Sequence, residues 1–402
     1  MLSVSAHAVN INTCDINNGT DVLNCAIENH PDVLRLKGRI TSAQINQELS
    51  YRRPTPDLDV SLNYNDQPDQ QGLNGDLAFM QTFETKERKA ARVTRASSKL
   101  LYQNVALKQT KEESAFYILT YLNRLRQIDK EKSIVAEAIK TFGDIITRYK
   151  NRPILPPEEA VSLDVFKSAM KNYQLESSKL FSEEKSIINA LKNATDNRVD
   201  KNKNILLYAP KSWPQVDSDI KPENSSAALM ETVGRTEAQA DYLEAKSASF
   251  GSIKLGPYIE SRPSDITPFN AVGIKASLPI ALYSNKKALE LAGVNQNNAN
   301  LSYELKKAEL KNNFERLKET YSFGVSALTE YDISAIENTH LKSEKLFAGG
   351  RVSGSMFIES HRQLLESIKI YHQYEMETLQ SLWNIYILQD KIISNITELY
   401  DE

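Results

Sequence analysis

The sequence predicts a mainly α protein with a small β part, written as a duplicated order of helix, strand, strand, long helix and helix. Three observations predict it: long stretches without helix breakers, alternating apolar segments that come in pairs, and an internal repeat. Only 14 Gly and 14 Pro punctuate 402 residues, so long helices are the first expectation. A formal net charge of -3 with 25% charged residues provides no basic field of the kind nucleic-acid binding needs, and nucleic acid is not expected as a partner. No apolar run reaches the roughly 18 residues of a membrane-spanning helix, which leaves a membrane β-barrel open.

The chain begins with a segment, 1–20, read as a signal remnant and N-terminal stretch. Ser5-Ala6-His7-Ala8 has the small-x-small pattern that ends a secretory signal. Cys14 and Cys25 lie close together with no further cysteine, so a zinc site is not expected from them. In an oxidising compartment they would pair as a local staple; otherwise they are two free thiols.

The first repeat is read over 21–195. Helix is expected from about Asp21 to Tyr51, and its Glu28-Asn29, Gly38-Arg39 and Ala43-Gln44 recur as Glu223-Asn224, Gly234-Arg235 and Ala238-Gln239. The spacing stays near 195 to within one residue, which chance matches would not do. Strands follow at about 57–65 and 76–84. Leu58, Val60, Leu62 and Tyr64 alternate with polar residues, and Leu77, Phe79 and Phe83 resume the pattern, interrupted by Gln81. From about 86 to 149 there is no proline and one glycine, Gly143, within a heptad-like series that includes Val135, Ile139, Phe142, Ile146 and Tyr149. Such a helix would reach roughly 95 Å at about 1.5 Å per residue. It ends at a tip, about 150–157, marked by Pro153, Pro156 and Pro157, and a return helix follows at about 158–194.

A linker is expected at 196–226, where Pro210, Trp213, Pro214 and Pro222 sit in a polar context. The second repeat, 227–402, has strands at about 252–260 and 271–280, carrying Ile253, Leu255, Pro257 and Ile259, then Val272, Ile274, Ala276, Leu278 and Ile280. Pro257 and Pro279 favour edges, ends or bulges, because proline donates nothing to a ladder. A long helix at about 285–347, a tip at about 348–354 and a return helix at about 355–400 complete it. Four strands cannot close a barrel within one chain, and an open edge in lipid leaves backbone groups unpaired, so other subunits must complete the sheet. A dimer, trimer or tetramer would each close it.

The duplicated order, the paired hairpins, the long helices and the tip Gly350-Arg351-Val352-Ser353 followed by Phe357-Ile358-Glu359 together resemble the TolC family of outer-membrane factors, from about Asp21 to Tyr400. The stretch Phe83 to Arg92 is similar to the strand-to-helix junction of that family's heavy-metal efflux branch. The resemblance implies a homotrimer with a long antiparallel α-helical barrel and a shared twelve-stranded transmembrane β-barrel. It implies an outer-membrane channel subunit of a Gram-negative bacterium with a large periplasmic extension, serving a tripartite efflux or type I secretion system. The implied partners are outer-membrane lipid, a periplasmic adaptor (membrane fusion protein) and an inner-membrane pump of the RND, ABC or MFS type. The implied role is passive export of small molecules, metal ions or proteins, with no cofactor and no catalytic residue. The first tip departs from the family pattern, since Pro153 stands at the usual glycine position. The alternative reading is a soluble periplasmic coiled-coil adaptor or scaffold, which explains the helices but not the recurring apolar hairpins.

Family channels close their periplasmic end with the helical hairpins, commonly with acidic side chains facing the pore. The matching candidates are Glu359, Glu158, Glu159 and Asp164, whose rings in a symmetric assembly would attract cations. Glu158 and Glu159 equally fit acids that complement the first turn of a helix. Ile154, Leu155, Pro156, Gly350, Arg351, Val352 and Ser353 are candidate adaptor contacts or, alternatively, self-packing tip residues. Lys86, Arg88, Lys89 and Arg92 fit either interfacial anchors or a solvated helix face. His340, His361 and His372 lack metal-ligand spacing, and no metal site is expected. No phosphate loop, nucleophile elbow or Cys/His nucleophile pair appears, and enzyme activity is not expected.

Overall fold

A computed structural model describes residues 14, 16, 18–65, 72–195, 199, 212–217, 219–247, 252–262, 269–278 and 285–395. The elements follow in the order α1 (Gly19–Asn29), α2 (Pro31–Tyr51), β1 (Asp57–Asn65), β2 (Gly72–Glu84), α3 (Lys86–Lys150), α4 (Pro157–Ala194), α5 (Ser226–Ser247), β3 (Ser252–Arg262), β4 (Phe269–Ser277), α6 (Asn285–Glu330), α7 (Ile333–Ala348) and α8 (Gly354–Leu388). The chain divides into two units. One comprises Met1–Arg35, Lys108–Ser225 and Leu310–Glu402; the other comprises Leu36–Leu107 and Ser226–Glu309. No helix among the described residues is long and apolar enough to cross a membrane.

The first unit is helical. On α4, Phe166, Tyr173, Leu180 and Ile187 recur every seven residues and all are buried, the spacing that keeps one face of a helix on its neighbours. On α3, Ile118, Leu122, Leu125, Ile128, Val135, Ala138, Phe142 and Ile145 hold steps of three or four apart from one full heptad, which Glu131 fills. On α8, Phe357, His361, Leu364, Ile368, His372, Glu375, Leu379, Leu382 and Tyr386 do the same. Ring edges interlock where these faces meet: Phe142 lies 5.6 Å from Phe166, 5.6 Å from Tyr173 and 5.0 Å from His361 between centroids. At the N-terminus Asn18 caps α1 by accepting from the Asp21 amide at 2.7 Å, and Cys14 and Cys25 are joined by a disulfide.

The second unit contains a four-stranded antiparallel sheet in the order β1-β2-β3-β4. Each repeat supplies one hairpin, and β2 pairs with β3 across the two repeats. Beside the sheet, Arg92 on α3 donates to Glu84 at 2.6 Å and to the Ser50 and Arg52 carbonyls at 2.5 and 3.1 Å, tying the strand-to-helix junction to the end of α2. Arg95 bridges to Asp241 and Glu244 on α5, each at 2.6 Å.

Several boundaries differ from the sequence reading, each for a physical reason. The single helix expected from Asp21 to Tyr51 is two helices, because Pro31 begins α2 and His30 departs from helical backbone. The helix expected at 285–347 breaks at Tyr331-Asp332, where Asp332 caps α7 by accepting from the Ala335 amide at 2.9 Å. The return helix expected to run to 400 ends at Leu388, with Asp390 in a left-handed conformation (φ 60). A short helical turn resumes at 392–395, while 396–402 lie outside the described residues. Strand β2 starts at Gly72, since Leu73 still pairs with Tyr64; β3 and β4 shift to Ser252–Arg262 and Phe269–Ser277. Pro279 and Ile280, most of 1–20, and much of the linker, Pro210 included, also lie outside the described residues.

Candidate functional site

The register of the sheet puts like with like. Leu58 faces Phe79, Val60 faces Leu77 and Tyr64 faces Leu73; Leu77 faces Ile259 and Phe83 faces Ile253; Ile259 faces Val272 and Pro257 faces Ile274. Because side chains alternate between the faces of a strand, all of these fall on one face. That face is uncovered: Val60 is 59% exposed and Val272 81%, and Leu58, Leu62, Tyr64, Ile253, Leu255, Ile274 and Leu278 are likewise exposed. The other face carries charged side chains beside the buried Ala78 and Met80. Lys254 pairs with Asp57 at 2.6 Å, Lys275 approaches Asp59 at 3.9 Å, the Tyr258 hydroxyl donates to Glu260 at 2.5 Å, and Arg262 pairs with Glu260.

Strands β1 and β4 each have a neighbour on one side only, so the sheet has two open edges among the described residues. Pro257 lies within β3, where pairing to β2 lapses opposite Phe79 and Met80, while its partner across β4 is Ile274. Beside it a Cβ on Gly256 would stand 1.7 Å from the Phe79 carbonyl oxygen, so the close approach of these strands requires glycine.

The two tips are built differently. After α3, Arg152 lies over the Tyr149 ring and pairs with Glu159 at 2.5 Å, Pro157 opens α4, and Ile154 is 85% exposed. Leu155 is half-buried and Pro156 exposed. After α7, Gly350 takes a left-handed conformation (φ 68), the Gly350 amide donates to the Phe347 carbonyl and the Arg351 amide to the Leu346 carbonyl, both at 2.9 Å. This glycine-based stop satisfies carbonyls at the helix end. Ser353 then caps α8 by accepting from the Met356 amide at 3.3 Å. Val352 is half-buried, whereas Arg351 and Ser353 are exposed.

The acidic candidates are not equivalent. Glu359 accepts a two-pronged contact from Arg362, at 2.6 and 2.8 Å, and this guanidinium holds its carboxyl below the usual range. Asp164 pairs with Lys167 at 2.9 Å and Glu159 with Arg152, while Glu158 has no ion pair among the described residues. Within one chain, Glu158 is therefore the one of the four that presents a bare charge.

Sequence reasoning missed a polar layer inside the helical unit. Glu131, 2% exposed at its side chain, accepts from Arg124 at 2.8 Å and meets His372 Nδ1 at 2.8 Å; Arg124 also reaches Glu183 at 2.7 Å. Burial by itself raises the Glu131 carboxyl, but hydrogen bonds from His372 and Arg124 outweigh it and the net shift is downward. Next to this layer, Gln127 and Arg126 donate to Glu375 at 2.9 and 2.8 Å. The signal available was polar residues standing at core positions of heptads.

Neither a protein-family model nor a curated protein sequence matches the chain. Solved structures do. The Campylobacter jejuni CmeC outer membrane channel superposes with a TM-score of 0.69 at 13% identity, covering 100% of this chain and 94% of that one. CusC, described in terms of folding and transmembrane channel formation, gives 0.71 at 15% identity, covering 96% and 95%. The outer membrane protein VceC from Vibrio cholerae gives 0.70 at 12% identity, covering 93% and 96%. The chain thus has the fold of the outer-membrane channel proteins, over nearly its whole length.

Proposed function

We propose that this chain is one protomer of a TolC-like outer-membrane export channel, a passive conduit that performs no chemistry. The single observation that carries the reading is the sheet: a largely apolar, uncovered face interrupted by Gln81, an opposite face that carries the charges, and two open edges among the described residues of one chain. In water such a face costs about 25 cal/mol for every Å² of apolar surface left wet, whereas lipid removes the cost. Its strands have 9, 13, 11 and 9 residues, against the roughly 9–11 needed to cross a bilayer tilted. Edges cannot remain unpaired in lipid, so copies must join β1 to β4 until the sheet closes. Three copies make the twelve-stranded barrel implied by the family resemblance, with the charged face lining the lumen.

On this reading the protein sits in the outer membrane of a Gram-negative bacterium and accepts cargo from a periplasmic adaptor and an inner-membrane pump. Ile154, Leu155, Pro156 and the turn Gly350 to Ser353 are the adaptor contacts, and Glu158 is the foremost acidic gate candidate, since Glu359 carries its own guanidinium. The likeness to outer-membrane channels supports a conduit; small molecules, metal ions and proteins are its cargo classes. The test is extraction in detergent followed by mass determination and planar-bilayer recording. A trimer that conducts is expected. A monodisperse, detergent-free monomer without conductance would favour the soluble scaffold instead.

A further inference from the structure

Helices α3 and α7 run side by side in the same direction, as their cross-contacts reveal. Lys130 on α3 pairs with Glu337 on α7 at 2.8 Å. One heptad further along both helices the corresponding residues are Glu137 and Glu344, so an attractive Lys/Glu position is followed by two acids facing each other. Neither carboxylate has an ion pair among the described residues. Like charges at such spacing repel, and something cationic is expected between them.

The third group at this place is His340, one turn from Glu344 on the same face of α7. The residue is 4% exposed; Nδ1 stands 3.4 Å from Ser360 Oγ, and Nε2 has no hydrogen-bond partner among the described residues. A ring nitrogen of His340 and one carboxylate oxygen from each of Glu137 and Glu344 lie within 4.8 Å of one another. Ligand atoms around a tetrahedral ion with bonds of about 2.0–2.2 Å stand roughly 3.4 Å apart. Small rotations of the exposed Glu137 and half-exposed Glu344 side chains would close that gap.

We infer that Glu137, His340 and Glu344 form a binding site for a zinc-class divalent transition-metal ion, held between α3 and α7 with a remaining position open to water. One imidazole and two carboxylates suit Zn²⁺, Co²⁺ or a similar ion. Copper(I) prefers sulfur ligands, and Ca²⁺ or Mg²⁺ prefers oxygen alone. The ion joins the long helix of the first repeat to the short helix that follows the break at Tyr331-Asp332 in the second. It therefore sets how firmly α7 is held, independently of the channel role.

The full-length protein in detergent, stripped with chelator, is titrated with ZnCl₂ by calorimetry and with CoCl₂ by visible absorption. One ion per chain, a rise in Tm with zinc and a tetrahedral-type cobalt spectrum are expected. Glu137→Gln and Glu344→Gln should each weaken zinc by at least about tenfold, the loss seen when even an outer partner of a metal site is removed. Glu137→Lys should abolish binding while raising the metal-free Tm, since it recreates the Lys130–Glu337 arrangement. No zinc binding, or zinc affinity unchanged in the two glutamine variants with their helical circular dichroism intact, would overturn the site.

Discussion

The sheet and the helical unit use the same apolar residues to opposite ends. On α4 the seven-residue series Phe166, Tyr173, Leu180 and Ile187 turns inward and is buried; on β1 the two-residue series Leu58, Val60, Leu62 and Tyr64 turns outward and is exposed. The buried stripe of α4 is satisfied within one chain, even though Leu175 and Phe181 on the same helix remain exposed. A sheet that exposes its stripe is not, and that incompleteness is what points to lipid and to further copies of the chain.

The sharpest way to separate the two regions is to damage each alone. Phe142→Ala removes a fully buried ring that contacts Phe166, Tyr173 and His361, and should cost about 3–5 kcal/mol. Thermal unfolding of the helical signal should shift accordingly while membrane insertion of folded protein survives; loss of insertion with unchanged helix stability would reverse the assignment. Val60→Arg does the converse. A charge on a lipid-facing strand costs about 2–4 kcal/mol near the bilayer centre, so denaturant titration in lipid should show that loss, whereas an unaffected variant would put Val60 in water.

A smaller effect is expected at the polar layer. Glu131→Gln leaves Arg124 short of one partner and should cost about 2–3 kcal/mol, below the usual figure for a broken buried pair because Arg124 is partly solvated and retains Glu183. The same residue gives a pH dependence. Its folded pKa is depressed, so its contribution is present above the unfolded carboxylate value of about 4.3 and is lost as pH falls through the lower folded one. Stability of Glu131→Gln should lack that acid limb; an identical acid limb in both proteins would remove Glu131 from it. Least of all, Gly350→Ala should cost about 1–2 kcal/mol by forcing a side chain into the left-handed region, measurable as a modest fall in Tm.

Much of this architecture was legible because it rests on period and punctuation. Alternation marked the strands, heptads the helices, and Pro153 or Gly350 the tips. Where structure turned on a single polar cap, legibility failed: the α6–α7 break is made by Asp332 without proline or glycine. The ionic layer was hidden because Glu131 and His372 stand at core positions of their heptads while the groups that pair with them lie on other helices or turns of the chain. Glu137 meets His340 and Glu344 the same way, across two helices from different halves of the chain, so the spacing of the histidines showed no sign of the cluster.

The most direct measurement is a collision-accessibility scan of spin labels attached one at a time from 58 to 64 on β1, with the protein in bilayers. Labels at 58, 60, 62 and 64 should meet lipid-soluble oxygen, and those at 59, 61 and 63 a water-soluble paramagnetic reagent. If the even positions are instead shielded from both, that face is covered by protein and the sheet is no barrel wall.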